Sequence, residues 1–131
     1  MLDNTPKTYF SSQDDMPGLQ IKHIYEAPKP GDGYRVLVDR LWPRGLSKER
    51  AAINTWLKDI SPSNELRTWF GHDPKKFSEF SRRYRTELQN NPVVAELQQI
   101  IKAHATTTLL YGAKDPERNQ AVVLQQFLQD R

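Results

Sequence analysis

The segment Asp39-Arg40-Leu41-Trp42-Pro43-Arg44-Gly45 holds a carboxylate, two guanidiniums and an indole in one turn, directly after the apolar run Val36-Leu37-Val38. A buried strand explains the apolar run but not the charge that follows it. Charged side chains gathered where a buried strand emerges are the usual makings of a binding or catalytic site. Arg40 and Arg44 offer planar forks suited to phosphate or carboxylate. Pointed the same way, they would clamp one anion while Asp39 handles protons. The competing arrangement is a brace, with one arginine on Asp39 or Asp59 and the other stacked on Trp42.

Two further loops carry suitable groups. Gly112-Ala113-Lys114-Asp115-Pro116 reads as a strand-to-helix turn whose small side chains let a ligand approach backbone N–H groups. A helix N-terminus there adds partial positive charge and Lys114 a full one, with Asp115 as the helix cap. Gly71-His72-Asp73-Pro74-Lys75-Lys76 contributes His72, an imidazole suited to proton transfer near neutral pH, beside Asp73. A purely structural, hydrogen-bonded histidine is the plainer reading of His72. Lys75 and Lys76 lie against the helix dipole and read as solvated unless an anion sits nearby.

Other chemistries are excluded or unsupported. The chain has no cysteine, which removes disulfides, thiolate nucleophiles and Cys-ligated metals. His23 and His104 have no partner at metal-ligand spacing, so no zinc or iron site is expected. Neither a dinucleotide-binding glycine fingerprint nor a P-loop occurs, and no cofactor is expected. Trp42, Trp56, Trp69 and the Phe77, Phe80, Tyr84 stripe read as core. Arg82, Arg83 and Arg85 share one helix and make the best case for a rival reading, a nucleic-acid or protein binding module.

These loops need a frame to position them. Leu19 to Tyr25 starts as a strand whose alternation Ile24 breaks, and Pro28 to Gly33 is a loop by composition. Tyr34 to Val38 is a short strand of the doubly buried kind. Ser47 caps a short helix through Ala52, and Ile53 to Leu57 is a third strand. Ser61-Pro62 opens a helix over Asn64 to Phe70, ended by Gly71. Asp73-Pro74 begins the clearest helix, with Phe77, Phe80, Tyr84 and Leu88 on one face, and Asn90-Asn91-Pro92 stops it. The next helix carries Val94, Leu97, Ile101 and His104 on one stripe. Thr106 to Tyr111 is a strand, and Asp115-Pro116 opens a last helix with Val123, Leu124, Phe127 and Leu128 inward.

This alternation predicts an α/β fold, a short, mainly parallel sheet covered by helices on both faces, as a single compact domain over residues 19–131. Right-handed crossovers bring the strand ends to one edge, where ligands bind in such sheets. Residues 1–18 are polar and aperiodic and read as a flexible N-terminal tail. The 131 residues suit one domain, and their net charge of +3 favours anionic partners, though mildly for a nucleic-acid binder. No apolar run approaches the roughly 18–20 residues that cross a bilayer, and no signal peptide is visible, so a cytoplasmic protein without membrane contact is expected.

The motifs resemble the YeaO-like family, a domain of unknown function (DUF 488). The resemblance rests on Gly33 to Gly45, Trp56-Leu57-Lys58, Ser61-Pro62-Ser63, Glu65-Leu66-Arg67 and Trp69-Phe70-Gly71-His72. It continues through Leu109-Leu110-Tyr111 and Lys114-Asp115 to Asn119 and Ala121. It implies a compact α/β domain and no particular reaction, since the family has no established activity. Family members often carry a pattern like Glu-His-Asn-His around the asparagine. This chain has Arg118 and Gln120 at the two imidazole positions. Asn119 joins Arg40, Arg44, Gly112 and Lys114 as a candidate ligand-binding residue, with Asp39 and His72 as the catalytic candidates. The expected function is an enzyme or receptor for a small phosphate- or carboxylate-bearing ligand at the strand C-terminal edge. The alternative is the binding module built on the face around Arg82 and Arg85.

Overall fold

The computed structural model describes residues 18–131. The expected tail therefore lies outside the described residues, except for Gly18. That residue is tied to the sheet, because its carbonyl accepts from the Thr107 N–H at 2.7 Å.

Four strands, β1 (Leu19–His23), β2 (Tyr34–Leu37), β3 (Thr55–Trp56) and β4 (Thr107–Tyr111), form one sheet in the order β1-β4-β2-β3. Every pairing is parallel, with Val36 opposite Leu109 and Leu37 opposite Leu110. The helices are α1 (Lys48–Ala51), α2 (Asn64–Phe70), α3 (Phe77–Gln89), α4 (Val93–Ala103) and α5 (Gln120–Gln129). The α/β class read from the alternation of patterns is the observed one.

The order of strands decides how the faces are covered. From β1 to β2 and on to β3 the chain steps in one direction, and from β3 to β4 it steps back. Right-handed crossovers place connections made in opposite directions on opposite faces. The return path carries α2, α3 and α4, and α5 joins them, so one face is thick. There Val36, Val38, Leu109 and Tyr111 pack in one core with Phe70, Phe80, Tyr84, Leu97 and Phe127. On the other face Ile24, Leu37 and Leu110 are covered by Ala51 of the four-residue α1 and by Trp42, Leu46, Ile53 and Trp56. The helical cover expected on both faces is thus unequal. The connection from β3 to β4 carries three helices, whereas β1 to β2 and β2 to β3 are joined by short segments with only a 3-10 turn and α1.

Local signals mostly hold, with three departures. Asp73-Pro74 opens a 3-10 turn over Pro74–Lys76, and α3 begins at Phe77. Asp115-Pro116 does not open α5. Asp115 accepts from the N–H groups of Glu117 and Arg118 at 2.9 and 3.1 Å, closing a turn, and Asn119 caps the helix through the Val122 N–H at 3.1 Å. An asparagine can also donate, and Asn119 Nδ2 does so to the Asp115 carbonyl at 2.8 Å. A carboxylate cannot serve both sides. His104 ends α4 exposed, stacked on Tyr34 at 4.0 Å, and does not join the inward stripe.

The thin face contains a buried ionic cluster. Arg35 is 4% exposed and donates to the carbonyls of Ala52 and Ala51 at 3.0 and 2.8 Å and to the Asp32 carboxylate. Lys22 also donates to Asp32, at 3.0 Å. Burial pushes the Asp32 pKa upward, but hydrogen bonds from Lys22, the Lys29 N–H and Arg35 outweigh it and hold the carboxyl below its ordinary value. This cluster ties the end of α1 to the sheet and so fixes the return of the Arg-rich turn. Removing one partner of a buried pair leaves uncompensated groups behind, at a cost of about 3–5 kcal/mol. Arg35→Met is expected to lower stability by roughly that amount in urea denaturation.

Candidate functional site

Beyond the C-terminal ends of β2 and β4 lies a cleft of about 250 Å³. The chain leaves these neighbouring strands toward opposite faces, β2 into the Arg-rich turn and β4 toward α5. Such a switch point opens a crevice between the two connections. Asp39, Arg40, Arg44, His72 and Gly112 all line it. Lys114 is exposed and Asn119 buried, and neither lines the cleft. Asn119 is instead spent on capping α5, as described above.

The two turns touch directly. Gly112 N–H donates to Asp39 Oδ2 at 2.9 Å, and Gln120 Nε2 donates to Asp39 Oδ1. The Asp39 carbonyl accepts from Trp56 Nε1 at 2.7 Å, which holds the backbone of the turn to β3. A Cβ at position 112 would stand 2.8 Å from Asp39 Oδ2, so glycine is what lets the carboxylate reach the backbone. Burial raises the Asp39 pKa to about 6, against the lowering effect of those two hydrogen bonds and of the nearby His23 and His72. Among the described residues no arginine or lysine forms an ion pair with Asp39.

The cations are arranged around it rather than on it. Arg40 donates through Nε and Nη2 to the Pro62 carbonyl at 3.3 and 3.2 Å, and its Nη1 lies 3.8 Å from Asp59 Oδ1. That is part of the brace weighed from the sequence. Arg67, from α2, donates to Asn64 Oδ1 at 3.3 Å. The Arg44 guanidinium has no hydrogen bond or ion pair among the described residues, while its carbonyl accepts from Tyr25 Oη at 2.8 Å. Trp42 stacks edge-on against Trp56 at 5.5 Å, not on an arginine.

His72 follows Gly71 in the left-handed region, with φ of 59°. A non-glycine residue there stores strain, of the kind that collects at functional sites. Sequence reasoning missed Tyr25, Arg67 and Gln120, all of which line the cleft. Gln120 would have been found had Asn119, rather than Asp115, been read as the cap, since it is then the first residue of a helix that starts at the sheet edge. Arg67 and Tyr25 carry no local signal, because only the packing of α2 and the end of β1 brings them here.

A family model described as the inactive DUF488-N3 subclade matches residues 18–131. The chain belongs to the YeaO-like DUF488 family. It is 39% identical over 110 residues to the uncharacterized protein YeaO of Escherichia coli K12, covering 84% of this chain and 96% of that one. It is also 39% identical over 113 residues to the uncharacterized protein Rv3073c of Mycobacterium tuberculosis H37Rv, covering 86% and 95%. No solved structure matches the chain. Among the described residues of this DUF488 protein, no helix is long and apolar enough to cross a membrane.

Two tests follow from the geometry. A carboxyl whose folded pKa is about 6 and whose unfolded value is 3.8 favours folding while protonated. Its contribution is full below the unfolded value and is lost as pH rises through the folded one. Asp39→Asn should therefore be more stable than the wild type at pH 7.5 by roughly 1–3 kcal/mol, an advantage absent at pH 3.5 in urea denaturation. Gly112→Ala should drive Asp39 off the backbone N–H and cost about 1–3 kcal/mol, visible as a lowered denaturation midpoint.

Proposed function

We propose that this chain is a receptor for a small anion bearing phosphate or carboxylate, rather than an enzyme. The observation that carries the reading is the convergence of Arg40, Arg44, Arg67 and His72 on one cleft with a single carboxylate that none of the arginines neutralises. Arg44 in particular holds its guanidinium uncommitted beside exposed ligand space. An anion would compensate this excess of positive charge, as charge-assisted contacts do in partly buried sites.

Catalysis has weaker support. Both oxygens of Asp39 already accept hydrogen bonds, one from a backbone N–H and one from an amide. A glutamine amide cannot exchange a proton as an imidazole would, and Gln120 stands where the family pattern has a histidine. No hydrogen bond joins His72 to Asp39 among the described residues, so the two catalytic candidates do not form an acid–base pair. The description of the matching subclade as inactive agrees with a binding role.

The basic helix face is a poorer candidate. Glu79 accepts from Arg82 at 3.0 and 2.6 Å and from Arg83 at 2.8 Å, and Arg85 pairs with Asp130 at 3.2 Å. Arg83 also covers the Trp69 ring at 4.4 Å. Each of these arginines is paired with a carboxylate of the chain, Arg82 and Arg83 sharing one, which leaves less for phosphates of a nucleic acid.

Calorimetric titration with phosphate, sulfate and acetate tests the reading. The wild type should bind at least one of them, and Arg44→Ala should weaken that binding by about 1–3 kcal/mol with the fold intact. Failure of the wild type to bind any anion, aromatic ones included, would remove the proposal.

A further inference from the structure

The cleft has an apolar side that an inorganic anion would not use. Among the described residues, the large hydrophobic side chains left exposed are Leu41 at 64% and Tyr25 at 50%, and both line this cleft. Singly scattered apolar residues need no explanation, but two on the rim of one charged cleft do. Trp42 and Phe70 add further apolar surface to the lining.

The aromatic side chains are tethered. Tyr25 is pinned by its hydroxyl to the Arg44 carbonyl at 2.8 Å, and Trp42 by its indole N–H to the Leu46 carbonyl at 2.6 Å. Fixed aromatic faces select planar partners, which stack on them or meet them edge-on. Arg44 adds a guanidinium that can grip an acid group and lie flat against a ring. The cleft's volume of about 250 Å³ lies just below the ~300–1,000 Å³ of pockets that enclose drug-sized molecules, a scale that suits a single ring bearing one acid group.

Building on the receptor reading above, we infer that the ligand is a small aromatic acid: one ring lying between Leu41, Tyr25 and Trp42, and one carboxylate or phosphate on Arg44. Asp39 lies in the floor, its oxygens accepting from Gly112 and Gln120, and its negative charge steers the head group to Arg44.

The test compares matched pairs on the full chain by calorimetry: benzoate with acetate, phenyl phosphate with inorganic phosphate, and benzoate with cyclohexanecarboxylate. One or both aromatic acids should bind about tenfold or more tighter than their small counterparts. Benzoate should also exceed its saturated analogue if the carboxylate is the head group. Leu41 is largely exposed, so Leu41→Ser leaves the fold intact, and it should erase most of the aromatic preference while sparing acetate and phosphate. Equal affinities within both small-anion pairs would overturn this inference and leave the receptor reading standing. So would a preference that survives Leu41→Ser, or benzoate no better than cyclohexanecarboxylate when phenyl phosphate also shows no preference. Absence of binding by all five compounds would overturn both readings.

Discussion

The parallel pairing of β2 with β4 is the constraint on which the rest depends. Its register sets Leu37 opposite Leu110, and the ladder runs one step further through the Val38 N–H to the Leu110 carbonyl at 3.1 Å. Beyond that point the strands stop pairing, and the first free groups on each side are Asp39 and Gly112. Their hydrogen bond closes the end of the sheet with a side chain where a backbone carbonyl would otherwise sit. A shift of one residue would turn Asp39 to the other face and separate it from Gly112. The burial of Asp39, the orientation of the Arg-rich turn and the floor of the cleft all follow from that one register.

Much of the fold was legible because its signals are local. The apolar runs at Val36 and Leu109 are too short and too continuous for amphipathic helices, and the 3.6-residue spacing of Phe80, Tyr84 and Leu88 is unmistakable. Unequal covering of the two faces was not legible, since it depends on the order of strands rather than on any one segment. The cap of α5 was misplaced for a related reason. Asp115 and Asn119 both carry the right chemistry, and only the bonds on both sides of Asn119 decide between them.

The site was legible in part. Asp39, Arg40, Arg44, His72 and Gly112 stand in charge- and glycine-bearing loops after apolar segments, and these line one cleft. Lys114 looked equally suitable but is exposed and outside the cleft lining, and the turn after β4 runs about four residues further than expected before α5 begins. The charge-rich face of α3 was the reverse case, a cluster conspicuous in sequence that the chain satisfies with its own carboxylates.

The unequal faces have a consequence for how the protein would respond to any molecule bound in the cleft. One wall of the cleft, with Phe70 and Phe80, is rooted in the thick helical layer, while the Arg-rich turn is anchored through the thin layer of Trp42, Leu46 and Trp56. Thinly packed layers are the first to open in native-state fluctuations. A molecule lodged between the walls would act as a non-covalent staple across this seam. It would shift the opening of the weaker layer in proportion to the logarithm of its own concentration. Local mobility of the turn, and through it the protein's resistance to proteolysis, would then become a readout of how much of that molecule is present.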